Sequence, residues 1–396
     1  MLMFGIKRKI TCALAVALGA ISIGGLTACD HELAMKSYKE SFYAMGTYAT
    51  LTVSMKGFSE TKFNELCEKV EEFLSSADDS LSASRKGSYI YNFNMAAGGE
   101  SVEIDRTAYE VMSEAHTLYN FTGGKFNPAI WHNANAYHLA VNADDGEPFN
   151  YLKEGYEFPD EEYIEEFNKL SAQFGNLRLE QSEGKYYATK PSYLASVPGD
   201  MSLYSMRVDL GGIAKGWCAD RVNEMMSEAG VQYGYFDFGT SSMAIKEYAG
   251  HSDGVYVVGG RDPRGRQDER FFATKAKNSM LSTSGDYEKY YEVEGKRYCH
   301  IIDPSTGKPI QTGVASVTAI GEGGAKTDAL TSALSAMDKE SAVKFINEKL
   351  SDYKIIMLVF EDGVGKVITN CPGEITLTNS SYTVENSVND GKIVLG

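Results

Sequence analysis

The chain has 396 residues, of which 43% are hydrophobic and 23% charged, as in globular proteins long enough to bury a large core. It carries 54 acidic and 38 basic side chains, so its formal net charge is −16. This excess argues against binding of nucleic acid or electrostatic attraction to anionic lipid, and an anionic ligand would need a local cluster of cations or a metal ion.

The N-terminus has the organisation of an export signal over residues 1–28. A Lys-Arg-Lys run at 7–9 precedes an apolar stretch at 10–25, and Leu-Thr-Ala then leads to Cys29. This ending resembles a bacterial lipobox and predicts cleavage before Cys29 and acylation of its thiol. Acyl chains would anchor the protein in the plasma membrane on its extracytoplasmic side, with residues 29–40 as a tether. An uncleaved transmembrane anchor is the alternative.

Hydrophobic periodicity predicts strands and helices in irregular alternation after the tether. Predicted helices cover residues 61–74, 107–119, 215–229, 325–337 and 341–350, and predicted strands cover 48–53, 177–179, 186–189, 254–259, 270–274, 315–320 and 354–360. Residues 133–165 are polar, tyrosine-rich and without clean periodicity, which predicts a surface insertion. The pattern favours one α+β domain over residues 41–396 with a substantially antiparallel sheet.

A glycine-rich segment joins a predicted strand to the predicted helix at 215–229. It reads Val-Asp-Leu-Gly-Gly-Ile-Ala-Lys-Gly from Val208 to Gly216. Glycines let the backbone approach a ligand closely, and a helix N-terminus favours an anion. The segment lacks the Gly-Lys-Ser/Thr of a P-loop. An ordinary turn is the alternative.

A second polar group lies on the predicted helix at 325–337. Asp328, Thr331 and Ser332 are spaced i, i+3 and i+4, so they share one face among small residues. Carboxylate and hydroxyl oxygens suit Mg²⁺, a hard cation that keeps positions for substrate phosphate. A solvated or capping face is the alternative.

Between these features the chain reads His-Ile-Ile-Asp-Pro-Ser-Thr-Gly-Lys-Pro from His300 to Pro309. A histidine between apolar residues is commonly a core residue. Here Asp-Pro, Thr-Gly and the final Pro indicate a stiff turn that holds polar groups at a strand end.

Together with an early Met45-Gly46-Thr47, these segments resemble the signatures of ApbE-type FAD:protein FMN transferases. They occur in the family's order, and the similarity spans about residues 40 to 360. The resemblance implies an enzyme that requires Mg²⁺ and uses FAD as a substrate. It would join FMN through a phosphoester to a Thr or Ser hydroxyl of an exported or membrane-associated flavoprotein, and release AMP.

The resemblance also implies the ligand contacts. Asp209 and Lys215 would contact FAD, and Met45 would lie under the flavin. The carbonyl of Gly212 would face the metal beside Asp328 and Ser332, with Thr331 a weaker candidate. The other implied flavin contacts are Ser84, Lys125, Phe126, Asn127 and Ile302.

Three positions depart from the family pattern. Ser84 occupies a position where an aromatic residue is common, and Asn127 one where Asp is usual. Phe-Gly-Thr-Ser at 238–241 replaces the usual Gly-Gly-Asp. These departures affect the expected flavin stacking partner and nearby charges, and they leave the phosphate and metal residues intact.

His300 is the candidate for the catalytic base, because an imidazole ordinarily titrates near neutrality. Asp303 would orient it or contact Mg²⁺ through water. One alternative keeps this site but uses water as acceptor, which makes the protein an FAD pyrophosphatase. The other is a non-enzymatic flavin-binding lipoprotein, against which the Asp328 and Ser332 pair argues, since flavin storage needs no metal.

Overall fold

The computed structural model describes residues 35–140, 158–193 and 205–395. The predicted signal at 1–28, Cys29 and residues 141–157 of the predicted insertion lie outside these ranges. The predicted tether is wrong at its C-terminal end, because a ten-residue strand begins at Met35. Within the described ranges, no helix combines the length and the apolar character needed to cross a membrane.

The described residues contain eight α-helices and 21 strands. The helices are α1 (Glu60–Leu81), α2 (Tyr89–Met95), α3 (Arg106–Phe121), α4 (Trp131–Ala136), α5 (Glu161–Ser171), α6 (Ala214–Glu228), α7 (Gly324–Ser335) and α8 (Lys339–Lys349). The strands up to the middle of the chain are β1 (Met35–Ala44), β2 (Thr47–Lys56), β3 (Ser101–Ile104), β4 (Arg178–Ser182), β5 (Lys185–Thr189), β6 (Gly234–Phe238), β7 (Ser242–Ile245), β8 (Tyr256–Val258), β9 (Phe272–Ala276) and β10 (Ser279–Gly285).

The remaining strands are β11 (Tyr290–Val293), β12 (Lys296–Cys299), β13 (Ile302–Asp303), β14 (Lys308–Pro309), β15 (Val314–Gly321), β16 (Lys354–Glu361), β17 (Val364–Thr369), β18 (Ile375–Leu377), β19 (Thr383–Val384), β20 (Asn386–Asn389) and β21 (Lys392–Leu395). Every helix and strand predicted from periodicity is confirmed, with ends that shift by a few residues. The predicted helix at 61–74 is longer, since α1 continues to Leu81.

A nine-stranded sheet organises the fold, in the order β1-β2-β6-β7-β10-β15-β16-β17-β19. Among the described residues its neighbouring strands pair antiparallel, apart from β17 and β19, which are parallel. The predicted α+β class with an antiparallel sheet is therefore confirmed. Seven of the eight residues of β15 are buried, as expected for a strand inside the sheet with both faces covered.

Two layers cover the main sheet. Helices α1, α3, α6 and α7 bury their apolar sides against one face and form the largest hydrophobic core. A small sheet in the order β18-β9-β8 covers part of the other face, where Phe271, Phe272 and Leu358 are buried. One face of β1 and β2 is not covered by these layers. Along both strands, more buried side chains therefore alternate with more exposed ones.

The prediction of a surface insertion at 133–165 is wrong for its described beginning, because none of residues 133–140 is exposed, whereas residues 158–165 are mostly exposed. His132 and Asn133 of α4 are buried, and the Asn133 side-chain amide donates to the carbonyl of Gly307 at 3.1 Å. From α5, Asn168 donates to the carbonyl of Ser305 at 3.2 Å. Because asparagine is polar, hydrophobic periodicity could not reveal this role. The two side-chain amides supply hydrogen bonds to backbone carbonyls of a distant turn.

Candidate functional site

The glycine-rich segment forms a tight turn that starts α6. The carboxylate of Asp209 accepts a hydrogen bond from the backbone N–H of Gly211 at 2.8 Å. The carbonyl of Leu210 then accepts from Ile213 and Ala214, at 3.0 and 2.9 Å. This local bonding directs the chain into α6 without a side-chain cap, so the first N–H groups of that helix need acceptors from elsewhere.

Helices α6 and α7 touch through their backbones, at what we call the helix crossing (Gly216 and Asp220 of α6 with Gly324 and Asp328 of α7). A Cβ atom at Gly216 would lie 2.0 Å from the carbonyl oxygen of Gly324, and a Cβ at Gly324 would lie 2.3 Å from that of Gly216. Any larger residue at either position would force the helices apart.

Each helix of the crossing supplies a carboxylate to the N-terminus of the other. The Asp328 carboxylate accepts from the Gly216 N–H at 3.0 Å. The Asp220 carboxylate accepts from the N–H groups of Gly324 and Ala325, at 2.6 and 2.9 Å. These reciprocal bonds satisfy orphan donors and offset the positive end of each helix dipole. Sequence reasoning missed Asp220, although a helix that begins Gly-Gly-Ala without its own capping side chain signals the need for an outside acceptor.

Asp328 lies almost fully buried at this crossing, with 4% of its surface exposed. Burial raises the pKa of its carboxyl, while the positive charge of Lys215 and the hydrogen bond from Gly216 oppose that shift. A buried carboxylate that accepts one hydrogen bond from a backbone N–H retains acceptor capacity for a cation.

Gly212 lies close to Ser332, which follows Asp328 on the same helix. A Cβ atom at Gly212 would lie 3.1 Å from the Ser332 hydroxyl oxygen and 3.5 Å from the ring of Phe126. Ser332 is one helical turn after Asp328 in α7, so a carboxylate and a hydroxyl face the glycine turn together. Within the described ranges no group of three or more His, Cys, Asp or Glu side chains gathers as metal ligands. One carboxylate with neutral oxygens fits Mg²⁺, which commonly binds through one or two carboxylates and substrate phosphates.

The prediction of Thr331 as a metal ligand is wrong. Its side chain is fully buried, its hydroxyl donates to the carbonyl of Asp328 at 2.8 Å, and it shares a 2.8 Å hydrogen bond with the Ser284 hydroxyl of β10. The bond to Ser284 holds α7 against the sheet, and the bond to Asp328 lies within the helix. The i, i+3 spacing indicated a shared helix face, but it could not show that the sheet covers this part of it.

Two hairpin tips adjoin the first turn of α6. The ammonium of Lys215, in the first turn of α6, donates to the Ser241 hydroxyl at 2.5 Å. Ser241 follows the β6–β7 turn, where a Cβ at Gly239 would lie 2.7 Å from the Thr47 side chain. Thr47 begins β2 directly after Met45 and Gly46, whose φ angles of 49° and 73° form the tight β1–β2 turn. The structure therefore brings Met45-Gly46-Thr47 and Lys215 to the same end of the sheet.

The turn from His300 to Pro309, which we call the His300 turn, is held by long side chains. The Lys125 ammonium donates to the Asp303 carboxylate at 3.1 Å, to the Ser305 hydroxyl at 2.8 Å and to the carbonyl of Ala336 at 2.9 Å. Asp303 also accepts from the Ser305 N–H at 2.9 Å. The expectation that Asp303 orients His300 is wrong, since its carboxylate pairs with Lys125 and closes the turn.

His300 is half-buried, and its backbone N–H donates to the carbonyl of Lys289 at 2.9 Å. Its Nδ1 atom is buried and has no hydrogen-bond partner among the described residues. Burial, with the nearby charges of Lys289 and Lys215, lowers the pKa of His300 to about 3. This lowered pKa departs from the ordinary imidazole value on which the sequence-based prediction of His300 rested.

Lys289 is a site residue that sequence reasoning missed. Part of its side chain is exposed. Burial around the ammonium lowers its pKa, which the charge of Asp209 opposes and that of Lys215 reinforces. Lys289 and Lys215, both within electrostatic reach of the His300 imidazole, form a local positive region in an acidic protein. The signal in the sequence was weak, since Lys289 lies in a polar run outside every motif.

Comparisons with known proteins decide the family. The ApbE family model matches residues 45–357, which is most of the chain. The protein belongs to the ApbE family. It is similar to the FAD:protein FMN transferase of Treponema pallidum, with 26% identity over 82% of this chain and 85% of that protein. The FAD:protein FMN transferase of Escherichia coli K12 is 24% identical over 78% of this chain and 82% of its own.

Solved structures agree with this ApbE assignment. The ApbE protein of Thermotoga maritima has a TM-score of 0.66 and 25% identity, covering 82% of this chain and 94% of its own. The flavin transferase ApbE of Vibrio cholerae, at 21% identity, has a TM-score of 0.65 and covers 85% and 97% of the two chains. The latter likeness shows the shared fold alone.

The remaining predicted flavin contacts each have partners within the protein. The amide of Asn127 is buried, donates to the carbonyl of Ser171 at 3.1 Å and accepts from the Ala129 N–H at 2.9 Å. Ser84 lies in the loop after α1, with its hydroxyl 3.4 Å from that of Ser82. The side chain of Ile302 is buried in a cluster with Trp131 and Tyr291, and its contact with the flavin stays a prediction.

Proposed function

We propose that this protein transfers FMN from FAD to a Thr or Ser hydroxyl of another protein, with Mg²⁺ as cofactor and AMP as the leaving product. One observation carries the proposal. Chain segments more than 100 residues apart meet at the helix crossing, where Lys215, the Gly212 turn and the Asp328–Ser332 pair adjoin one another. Family membership and the names of the relatives support FAD as donor and a protein as acceptor.

The residues present fit a magnesium ion. Asp328 and the Ser332 hydroxyl would hold it, with the backbone of Gly212 beside them. When bound, Mg²⁺ supplies positive charge that offsets the charge developing on phosphate oxygens during displacement. The raised pKa of Asp328 agrees with this assignment, because a buried carboxylate gains more from a nearby cation than an exposed one does.

Side chains of the protein would bind the substrate and accept the proton. Lys215 and Lys289 would bind the pyrophosphate, whose charge the net −16 of the protein would otherwise repel. The acceptor oxygen attacks the FMN-side phosphorus, its proton passes to a nitrogen of neutral His300, and the bond to the AMP phosphate oxygen breaks. Phosphates beside the two lysines would offset the charges that depress the pKa of His300, so substrate binding would make the imidazole a better base.

We also propose that the protein acts outside the cytoplasm on the plasma membrane, anchored through a lipid on Cys29. The basic and apolar leader and the Leu-Thr-Ala-Cys ending support this proposal. The acceptor would then be an exported or membrane-associated flavoprotein. In a membrane fractionation, Cys29→Ala should release the protein into the soluble fraction. Retention of the variant after a carbonate wash would instead indicate a spanning helix.

The deciding experiment is an intact mass measurement. The enzyme, FAD and Mg²⁺ are incubated with each exported flavoprotein encoded in the same genome, and each acceptor is weighed before and after. A gain of one FMN, lost when the modified Thr or Ser is changed to Ala, supports transfer. Release of free FMN and AMP with every acceptor unmodified would contradict transfer and indicate a pyrophosphatase. Binding of FAD without turnover would indicate a flavin carrier.

A further inference from the structure

The β1–β2 hairpin ends in an exposed aromatic pair beside the site. Tyr43 and Tyr48 lie opposite each other across the two strands, with ring centroids 5.2 Å apart. They keep 67% and 71% of their surface exposed. Single exposed apolar residues are common, but two tyrosine rings in mutual contact and mostly open to solvent form a ready binding surface.

The tyrosine pair lies at one end of an exposed polar face of β1 and β2. On β1 the side chains of Ser37, Lys39 and Ser41 are exposed on the same face as Tyr43. Hydroxyl pairs cross to β2, Ser37 to Ser54 at 2.9 Å and Ser41 to Thr50 at 3.4 Å. In the described part of the chain β1 pairs with β2 alone, so its other edge is open. An open edge can accept an extended segment through main-chain hydrogen bonds.

The surface is continuous with the site. Tyr43 and Tyr48 lie two residues on either side of the Met45–Gly46 turn. Thr47, next in the chain, contacts the β6–β7 turn, whose Ser241 holds the ammonium of Lys215. An occupant of the tyrosine pair would therefore adjoin the place where the phosphates are expected.

We propose that the tyrosine pair and the open edge of β1 bind the acceptor protein and present its hydroxyl to the site. This inference rests on the proposed function, because FMN transfer requires a polypeptide to enter. Charge supports this occupant: residues 35–56 contain three lysines and one glutamate in a chain of net charge −16, so the hairpin does not repel an acidic partner. Stacking on the tyrosines and main-chain pairing along β1 would fix the register of the acceptor segment.

The test separates acceptor binding from chemistry. Purified full-length enzyme and its Tyr43→Ser/Tyr48→Ser variant are assayed with the acceptor that gains FMN from the wild type, and KM is measured separately for acceptor and for FAD. We expect KM for the acceptor to rise about tenfold or more, as for aromatic residues at interface centres, with kcat and KM for FAD unchanged. Tyr248→Ser is the matched control, since Tyr248 is exposed at the far end of the β6–β7 hairpin.

Other outcomes would overturn the inference. An unchanged KM for the acceptor removes the tyrosines from its binding surface. A raised KM for FAD assigns them to the flavin instead. A change in oligomeric state of the variants, with KM for the acceptor unaltered, assigns them to contacts between copies of this chain. Tyr43→Ser and Tyr48→Ser alone repeat the measurement where the double variant has a lowered Tm. If no protein gains FMN from the wild type, the proposed function fails and this inference falls with it.

Discussion

The helix crossing and the His300 turn form two parts of the candidate site, and they are held together by different means. At the crossing, two glycine backbones are in contact and two carboxylates cap helices reciprocally. At the turn, Lys125, Asn133 and Asn168 reach across from other elements to hold backbone and side-chain oxygens. The first arrangement leaves no room for substitution, whereas the second can lose a contact and keep its fold.

Removal of the charge at the crossing should have the largest effect. Asp328→Asn retains shape but loses the negative charge that would hold Mg²⁺. We expect FMN transfer to fall about 10³-fold, since metal stabilisation of a transition state is worth several kcal/mol. Transfer rates measured across a range of Mg²⁺ concentrations should show only partial recovery at high Mg²⁺, and chelation of the wild type by EDTA should have the same effect.

Nearby variants sharpen that test. Ser332→Ala should weaken Mg²⁺ binding less than Asp328→Asn does, and Ser332→Thr should be neutral because it keeps the hydroxyl. Asp352→Asn, an exposed position outside the site, should behave as wild type. Unchanged Mg²⁺ dependence in Asp328→Asn would remove this residue from the metal site.

A methyl group at the crossing should damage the fold itself. In Gly216→Ala the new Cβ would lie 2.0 Å from the carbonyl oxygen of Gly324. Overpacking against a backbone atom should lower the free energy of unfolding by about 3 kcal/mol. Denaturant titration measures this change, and Gly373→Ala is the control because a Cβ there meets nothing within 4 Å. Equal stability of both variants would show that α6 and α7 are not in contact.

In the His300 turn, loss of the imidazole should impair chemistry and leave the fold intact. His300→Gln should lower the rate of transfer about 10²-fold, the lower end for a general base, with FAD affinity retained. Isothermal titration with FAD separates binding from turnover. A variant with full activity would make His300 a structural residue of the turn.

The depressed pKa of His300 gives the same region a pH signature. Its folded-state pKa of about 3 lies below the unfolded value near 6.5, so its contribution to stability is present above pH 6.5 and is lost as pH falls toward 3. NMR titration of the His300 ring should show no protonation between pH 8 and 5 in the free protein. Addition of FAD should raise this pKa, because phosphates offset Lys289 and Lys215. If FAD does not raise the pKa of His300, the two lysines do not bind its phosphates.

The smallest effect is expected for the clamp on the turn. Lys125→Met removes the ion pair with Asp303 and two further hydrogen bonds, and should lower the free energy of unfolding by about 1 kcal/mol, since the pair is partly solvated. Lys308→Met is the matched control: its ion pair with Glu161 is more exposed and should be worth less. Thermal unfolding of both variants compares the two contributions to stability. A larger loss in Lys308→Met than in Lys125→Met would show that Lys125 does not hold the turn.

Local pattern predicted much of this molecule, because it records which faces of helices and strands are apolar. The starts of α6 and α7 were accessible in this way. The closeness of Gly212 and Ser332 was implied by the family resemblance alone. Contacts between distant segments could not be predicted from local pattern. Nothing near Asp220 shows that it caps a helix more than 100 residues later, and nothing near Asp303 shows that Lys125 pairs with it.

The same reason explains the errors in detail. β1 was assigned in part to a tether because its serines and lysines alternate with few apolar residues, as suits an edge strand with one open face. Thr331 was assigned to the metal because helical spacing identifies a face but not what packs on it. The pKa of His300 depends on two lysines brought close by the fold.

The reciprocal caps also determine when the site can exist. The Asp328 carboxylate bonds to an N–H 112 positions earlier, and Asp220 to one 104 positions later. Neither helix start is satisfied until α7 has been synthesised and docked, so an incomplete chain lacks the candidate site. Contacts this distant in sequence form late, after the entropic cost of closing a long loop. A nascent chain that lacks α7 would thus have only isolated pieces of this site, and the arrangement would exist only in the finished fold.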